Sequence, residues 1–105
     1  MAANRLEVLK NLVEQSPNDT RVRYMLAMEL DNTGDLEGAV KEYQAVAAAD
    51  ADYVAAYLSG GQALKKLGRI EEARSFYKRG IEACGRTSDE HTRSKLQDKL
   101  DALAS

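Results

Sequence analysis

The chain has 105 residues, a formal net charge of −2, and 44 % apolar and 30 % charged residues. This length corresponds to one domain, and the near balance of charge argues against a nucleic-acid binder. The longest uncharged stretches are far shorter than the roughly 18 apolar residues that a membrane span needs. The N-terminal segment MAANRLEVLK has no apolar signal-peptide core, so we expect a cytoplasmic protein without a membrane partner.

Residue usage favours helices, because Ala, Leu, Glu, Lys and Arg are plentiful and there is a single proline. The charges are unevenly distributed along the chain. Residues 1–53 carry 5 Lys/Arg and 10 Asp/Glu, a net of −5, whereas residues 54–105 carry 10 and 7, a net of +3. The sequence is therefore acidic in its first half and basic in its second.

The first predicted element is a leading helix over residues 3–16. Apolar residues at helical spacing predict its buried face: Leu6, Leu9, Leu12 and Val13. Pro17 follows this stretch and lies three residues before Thr20, where the next element begins.

The second predicted element is a helix hairpin over residues 20–53. Its first helix has an apolar face made of Val22, Leu26, Ala27 and Leu30. Gly34 can take the left-handed conformation that ends this helix, and Asp35 can cap the next one. The second helix has a buried stripe made of Leu36, Ala39, Val40, Tyr43, Val46 and Ala47.

A second hairpin, over residues 54–87, repeats the first at a period of 34 residues. The shift aligns six identical pairs, namely Leu30/Leu64, Gly34/Gly68, Glu37/Glu71, Ala39/Ala73, Tyr43/Tyr77 and Ala49/Ala83. We expect the two helices of each hairpin to cross closely at Ala39 or Ala73. Tyr43 and Tyr77 are then expected to fill the space one turn further on.

The last predicted element is a capping helix over residues 88–104. Thr87-Ser88-Asp89-Glu90 is similar to a capping box. The inward face is predicted to contain Leu96, Leu100 and Leu103. The outer face is polar, so this helix is expected to seal the hydrophobic face of the preceding hairpin.

These elements resemble the tetratricopeptide repeat, whose 34-residue pattern is W-x2-L-G-x2-Y, then A-x3-F, then P. The copies read Arg23-x2-Leu26-Ala27-x2-Leu30 with Ala39-x3-Tyr43, and Tyr57-x2-Gly60-Gly61-x2-Leu64 with Ala73-x3-Tyr77. The tryptophan is replaced in both copies, and neither copy ends in proline. The resemblance implies an all-α fold, a right-handed superhelix of antiparallel helix pairs. About six helices would form a single domain over residues 1–105.

Residues 58–62 read LSGGQ, the signature of ATP-binding cassette ATPases. That signature acts opposite a phosphate loop, G-x-x-x-x-G-K-[ST], which this sequence lacks. Its N–H groups must also lie at a helix N-terminus, whereas here they fall in the middle of a predicted helix. Gly61 occupies the glycine position of the repeat. Gly60 replaces a leucine, and we expect it to weaken the helix by about 1 kcal/mol relative to alanine.

The ionisable residues do not form a recognisable catalytic set. Cys84 and His91 are the single cysteine and histidine, and together they make no metal site. Cys84 is expected to be buried near a helix end. Glu71 and Glu72 lie at a predicted helix start, where the helix dipole favours acidic groups. We therefore expect no enzyme activity, no cofactor and no metal.

In the family, the first helix of each pair lines a concave groove that holds extended or helical peptides. By register, the resemblance implies a partner-binding groove made of Arg21, Tyr24, Met28, Asp31, Leu58, Gln62, Lys65 and Arg93. The apolar members would contact the peptide, Gln62 would bind its backbone, and the charged members would provide complementarity. Core packing is the alternative for Tyr24, Met28 and Leu58, because few repeats share the burial.

Some family members bind acidic C-terminal peptides of chaperones through a lysine–asparagine–asparagine–lysine–arginine clamp. The corresponding positions here are Tyr24, Met28, Ser59, Asp89 and Arg93. Only Arg93 matches, which excludes this clamp.

The sequence thus predicts a non-catalytic module that binds a peptide or helix of another protein in its concave groove. The alternative is a structural protein that self-associates. Its acidic first half and basic second half could stack head to tail through the solenoid ends, as a weak homo-oligomer.

Overall fold

The computed structural model describes residues 4–103 and folds them into six α-helices. Their bounds are α1 Arg5–Gln15, α2 Thr20–Asn32, α3 Leu36–Ala49, α4 Val54–Lys66, α5 Ile70–Thr87 and α6 Glu90–Leu103. Position 3 of the predicted leading helix and position 104 of the predicted capping helix lie outside the described residues.

Two glycines reverse the chain within the hairpins. Gly34 and Gly68 adopt φ values of 92° and 79°, which glycine reaches without the steric cost that a Cβ would bring. The residue after each glycine donates its N–H to a carbonyl of the preceding helix, as from Asp35 to Leu30 at 2.9 Å. This geometry ends α2 and α4 and lets α3 and α5 run back antiparallel to them.

The helices pack in a regular succession. Each helix contacts the next along the chain, and α2 also contacts α4 while α4 contacts α6. The first helices of the pairs therefore lie side by side, with α1, α3 and α5 behind them. This confirms the predicted all-α solenoid of antiparallel helix pairs. None of the described helices combines the length and apolar composition needed to cross a bilayer.

The repeated alanines and tyrosines lie in the core. Ala39 and Ala73 are fully buried, and Tyr43 and Tyr77 are at most 1 % exposed. The small side chains allow the two helices of a hairpin to approach closely, and the tyrosine rings fill the space beyond the crossing. Cys84 is also fully buried, as expected.

Gly60 does not behave as the sequence predicted. It is not an extra small residue that merely weakens α4, because a Cβ added there would lie 2.5 Å from Cε2 of Phe76 on α5. The neighbouring Gly61 faces the ring of Tyr77 at similarly close range. Both glycines are buried within α4. The centre of the LSGGQ string is therefore a contact surface for two aromatic rings.

The connection between α5 and α6 also differs from the predicted capping box. Thr87 is the last residue of α5, and its hydroxyl donates to the carbonyl of Ala83 at 3.0 Å. Ser88 follows with a left-handed φ of 59°. The side chain of Asp89 accepts the N–H of Thr92 at 3.0 Å. Asp89, rather than Thr87, is therefore the residue that caps α6.

Candidate functional site

The first helices of the pairs, α2, α4 and α6, carry all eight residues that the sequence predicts for the partner groove. The structure brings only some of them together. Leu58 and Gln62 of α4 line a groove whose opposite wall is α6. We call it the α4–α6 groove, and its lining residues are Leu58, Gln62, Lys95, Asp98, Lys99 and Ala102.

The α4–α6 groove is rich in lysine. Gln62 and Lys99 also line an adjoining depression together with Lys65 and Lys66. Lys95 adds a further cation, and Asp98 is the acidic residue of the lining. All four lysines are exposed, so their attraction for anions acts through solvent and is weakened by salt.

Leu58 and Gln62 supply the uncharged part of this groove. Both side chains are half-buried and lie one helical turn apart on α4. A half-buried leucine can contact an apolar side chain. A half-buried amide can donate to and accept from a peptide backbone.

Tyr24 packs between helices. Its hydroxyl shares a hydrogen bond with the hydroxyl of Ser59 at 2.9 Å, which joins α2 to α4. Its ring centroid lies 5.7 Å from that of Tyr43 and 5.2 Å from that of Tyr53. These contacts give Tyr24 a structural role at the wall between α2 and α4.

Asp31 is likewise engaged by its neighbours. Its carboxylate accepts a hydrogen bond from the hydroxyl of Tyr43 at 3.3 Å and lies 3.6 Å from the ammonium of Lys66. Burial, reinforced by the charge of Asp31, raises the pKa of Tyr43 far above its usual value. The phenol therefore stays protonated and remains a hydrogen-bond donor.

Met28 lies apart from Leu58 and Gln62, in a separate groove between α1 and α2. We call this surface the α1–α2 groove. Its apolar lining residues are Val8, Leu9, Leu12, Met25 and Met28, and its polar lining residues are Arg5, Glu29 and Asn32. Sequence reasoning missed this groove, although Val8/Leu12 and Met25/Met28 are pairs at helical spacing.

Arg21 and Arg93 are exposed and do not line the α4–α6 groove. Arg21 lies in the first turn of α2. Arg93 lies in the first turn of α6, where its guanidinium is 3.8 Å from the carboxylate of Glu90. Of the predicted residues, the structure thus gathers Leu58, Gln62 and Lys65 along one surface.

The described residues provide no cluster of three or more His, Cys, Asp and Glu side chains that could hold a metal ion. Burial raises the pKa of the Cys84 thiol, which keeps it protonated and weakly nucleophilic near neutral pH. What the surface offers is apolar contact, an amide and several cations along a groove. This chemistry suits recognition of a polypeptide.

A stack of antiparallel helix hairpins with a 34-residue period defines a helical-repeat protein. A tetratricopeptide repeat family model matches residues 2–59, and a second tetratricopeptide repeat model matches residues 54–86. The chain belongs to the tetratricopeptide repeat family. No curated protein sequence gives a significant match.

Solved structures share this fold. A tetratricopeptide repeat domain protein from Salinibacter ruber is 28 % identical, with 84 % of this chain and 89 % of that chain covered and a TM-score of 0.78. PcrH in complex with the chaperone binding region of PopD is 17 % identical, with 94 % and 75 % covered and a TM-score of 0.88. The TPR2B domain of yeast Sti1, in a complex with pHsp70, is 12 % identical, with 94 % and 79 % covered and a TM-score of 0.87. The last two likenesses show the fold alone.

Proposed function

We propose that the chain is a non-catalytic protein-interaction module that binds a segment of a partner protein on its concave side. The α4–α6 groove is the centre of the proposed site. One observation carries the proposal: Leu58 and Gln62 share a groove with the exposed Lys95 and Lys99 of α6, and the exposed Lys65 and Lys66 of α4 line the adjoining depression. The family and the peptide-bound or protein-bound neighbours, PcrH and Sti1, support the general role.

The chemistry of the groove indicates the kind of segment that it would accept. Leu58 offers an apolar contact and Gln62 a backbone hydrogen bond, while Lys65, Lys95 and Lys99 would attract carboxylates. The net charge of +3 over residues 54–105 acts in the same direction. We therefore propose a partner segment that alternates apolar and acidic residues.

Charge reversal tests this proposal with a matched control. The test variant combines Lys95→Glu with Lys99→Glu, and the control combines Lys10→Glu with Lys41→Glu. All four lysines are exposed, and both variants change the net charge equally. The probe is a fluorescein-labelled peptide of alternating leucine and glutamate, and its affinity is measured by anisotropy.

The test variant is expected to bind the acidic peptide about tenfold more weakly or worse, and the control to bind it as the parent protein does. Replacing glutamate with lysine in the peptide is expected to abolish binding to the parent. Equal losses in both variants would show a diffuse charge effect and contradict the proposed site. Circular dichroism verifies that each variant is folded.

Head-to-tail stacking remains a prediction that sedimentation can test. Outside the α4–α6 groove, α6 exposes polar side chains that include Glu90, His91, Ser94 and Asp101. Head-to-tail stacking would place these polar groups against the apolar α1–α2 groove and leave them without hydrogen-bond partners. A chain that sediments as a monomer from low to physiological salt would contradict the stacking hypothesis.

A further inference from the structure

The α1–α2 groove carries the most exposed large apolar side chains of the described residues. Val8, Leu12, Met25 and Met28 are 42 %, 41 %, 49 % and 42 % exposed, and all four line this single groove. Single exposed apolar residues are normal on protein surfaces, but a contiguous set marks an interaction surface.

The internal repeat identifies the groove that corresponds to the α1–α2 groove one repeat further along. Shifting α1 by 34 residues superposes it on α3, and the two helices end in the same way. The N–H of Ser16 donates to the carbonyl of Leu12, and the N–H of Asp50 donates to the carbonyl of Val46, both at 2.9 Å. The same shift moves α2 onto α4. The α1–α2 groove therefore corresponds to the groove between α3 and α4, one repeat further along.

The groove between α3 and α4 is occupied by a helix, namely α2. The guanidinium of Arg23 lies 2.8 Å from the carboxylate of Glu42 on α3. Tyr24 shares its hydrogen bond with Ser59 on α4. Lys66 on α4 pairs with Asp31 of α2 at 3.6 Å. The molecule itself thus demonstrates that this kind of groove binds a helix.

In the α1–α2 groove, the corresponding anchoring residues are mostly apolar. The 34-residue shift places Val8 where α3 has Glu42, Leu9 where it has Tyr43, and Met25 where α4 has Ser59. Asn32 replaces Lys66. A helix with the polar contacts of α2 would leave its arginine, tyrosine and aspartate unpaired here, which is costly. The groove instead matches a helix with an aliphatic stripe, to which methionine side chains adapt readily.

The charged residues at one end of the α1–α2 groove favour a partner helix whose apolar stripe is uncharged. Arg5 and Glu29 lie there 3.9 Å apart, and the side chain of Arg5 is 77 % exposed. Both signs are present, so neither an acidic nor a basic helix gains a clear advantage. Within residues 4–103, no helix covers the α1–α2 groove as α2 covers the next one.

A second copy of this chain fits the groove poorly. Residues 1–53 have a net charge of −5, and two copies meeting through their α1–α2 grooves would bring two acidic halves together. The exposed side of α6 is polar, so it cannot supply the apolar stripe either. Compared with a second copy, a helix of a partner polypeptide matches the groove better.

We propose that the α1–α2 groove docks an amphipathic helix of a partner protein through an uncharged aliphatic stripe. The helix lies where α2 lies on α3 and α4, one repeat earlier. Val8 and Met25 contact the apolar residues of this helix. At the equivalent positions one repeat later, Glu42 and Ser59 bind the polar residues of α2. This surface is separate from the α4–α6 groove and independent of the function proposed for it.

Two matched peptides test the proposal on the intact chain. The first is a designed 18-residue helical peptide. It has leucines at positions i, i+3, i+4 and i+7 and a polar face with balanced charge. The second is the α2 segment itself, residues 19–33, with blocked ends. Binding is measured by anisotropy and located by amide chemical shifts in a ¹⁵N-labelled protein.

The leucine-striped peptide is expected to bind and to shift the amides of α1 and α2. The α2 peptide is expected to bind at least about tenfold more weakly. The variant Met25→Ser with Met28→Gln, which introduces the polar residues found at the equivalent positions of the next repeat, is expected to weaken binding of the striped peptide about tenfold. Both positions are exposed, so the variant should fold. The variant Lys95→Glu with Lys99→Glu should bind it normally.

Three results would overturn the proposal. The first is no saturable binding of the striped peptide. The second is a set of shifts confined to α4 and α6, with affinity unaffected by the methionine substitutions. The third is a dimer of the parent chain, seen by sedimentation equilibrium, that the methionine substitutions abolish, because a second copy would then be the occupant. None of these results depends on whether the acidic peptide binds the α4–α6 groove.

Discussion

The ring of Phe76 lies against the α-carbon of Gly60. A Cβ added at Gly60 would lie 2.5 Å from Cε2 of Phe76 and 3.1 Å from Cβ of Tyr43. Because the side chains of Phe76 and Tyr43 leave no room for a methyl group, we expect Gly60→Ala to destabilise the fold by about 1–3 kcal/mol despite the higher helix propensity of alanine. Urea denaturation followed by circular dichroism measures this change.

Gly85 provides the matched control, because it is also a helical glycine but is exposed. A Cβ added at Gly85 would meet no atom within 4 Å. Gly85→Ala is therefore expected to stabilise the protein by about 0.5–1 kcal/mol through helix propensity alone. Stabilisation by both substitutions would contradict the close contact between Gly60 and Phe76.

The two repeats explain why the sequence alone misjudged Gly60. In the first copy the large residue is Leu26 on α2, and the residue on α3 that corresponds to Phe76 is Glu42. In the second copy the large residue has moved to Phe76 on α5, and α4 has Gly60. The ring of Phe76 occupies the space that a side chain at position 60 would need, whereas a comparison of each position with the family pattern registers only a lost leucine. Examining both positions together would have revealed the exchange.

Tyr43 and Tyr77 occupy the same repeat position but differ in hydrogen bonding. The hydroxyl of Tyr43 donates to Asp31, whereas the buried hydroxyl of Tyr77 has no partner among the described residues. We expect Tyr43→Phe to cost about 1 kcal/mol, because Asp31 loses a donor. Tyr77→Phe should be nearly neutral or stabilising, because it removes an unpaired buried group. Chemical denaturation compares the two, and equal losses would contradict this difference.

The sequence predicts the fold well because certain positions accept only one or two types of amino acid. A left-handed turn selects glycine at Gly34 and Gly68, and a close helix crossing selects a small residue at Ala39 and Ala73. Both demands recur every 34 residues. Two independent constraints with one period are sufficient to specify the hairpins and their order.

The candidate site is harder to predict because exposure depends on which helix lies over a residue. Met28 and Gln62 share one repeat position. Met28 lies in the α1–α2 groove, whereas Gln62 lies beside α6 in the α4–α6 groove. The spacing of residues identifies a helix face but not the element that covers it. Asp31 illustrates the same limit, because its pairing with Lys66 requires the packing of α2 on α4.

Arg23 and Glu42 form the ion pair that joins α2 to α3. Their side chains are 22 % and 23 % exposed and 2.8 Å apart, so the pair is better shielded than a typical surface pair. We expect a double-mutant cycle with Arg23→Ala and Glu42→Ala to give a coupling of about 1 kcal/mol. The exposed pair of Arg93 and Glu90, 3.8 Å apart, is the control and should give a coupling near zero. Similar couplings for both pairs would show that burial does not set their strength.

The cap of α6 should make stability depend on pH in the acid range. The hydrogen bond from the Thr92 N–H lowers the pKa of Asp89, and nearby His91 and Lys95 act in the same direction. A carboxylate with a lowered folded-state pKa stabilises the fold above its unfolded pKa of about 3.9. This stabilisation is lost as pH falls through the lower folded value. Melting temperatures of the parent and Asp89→Ala should therefore differ most near pH 6 and converge toward about pH 2. A difference that stays constant over this range would mean that the Asp89 charge contributes nothing to the cap.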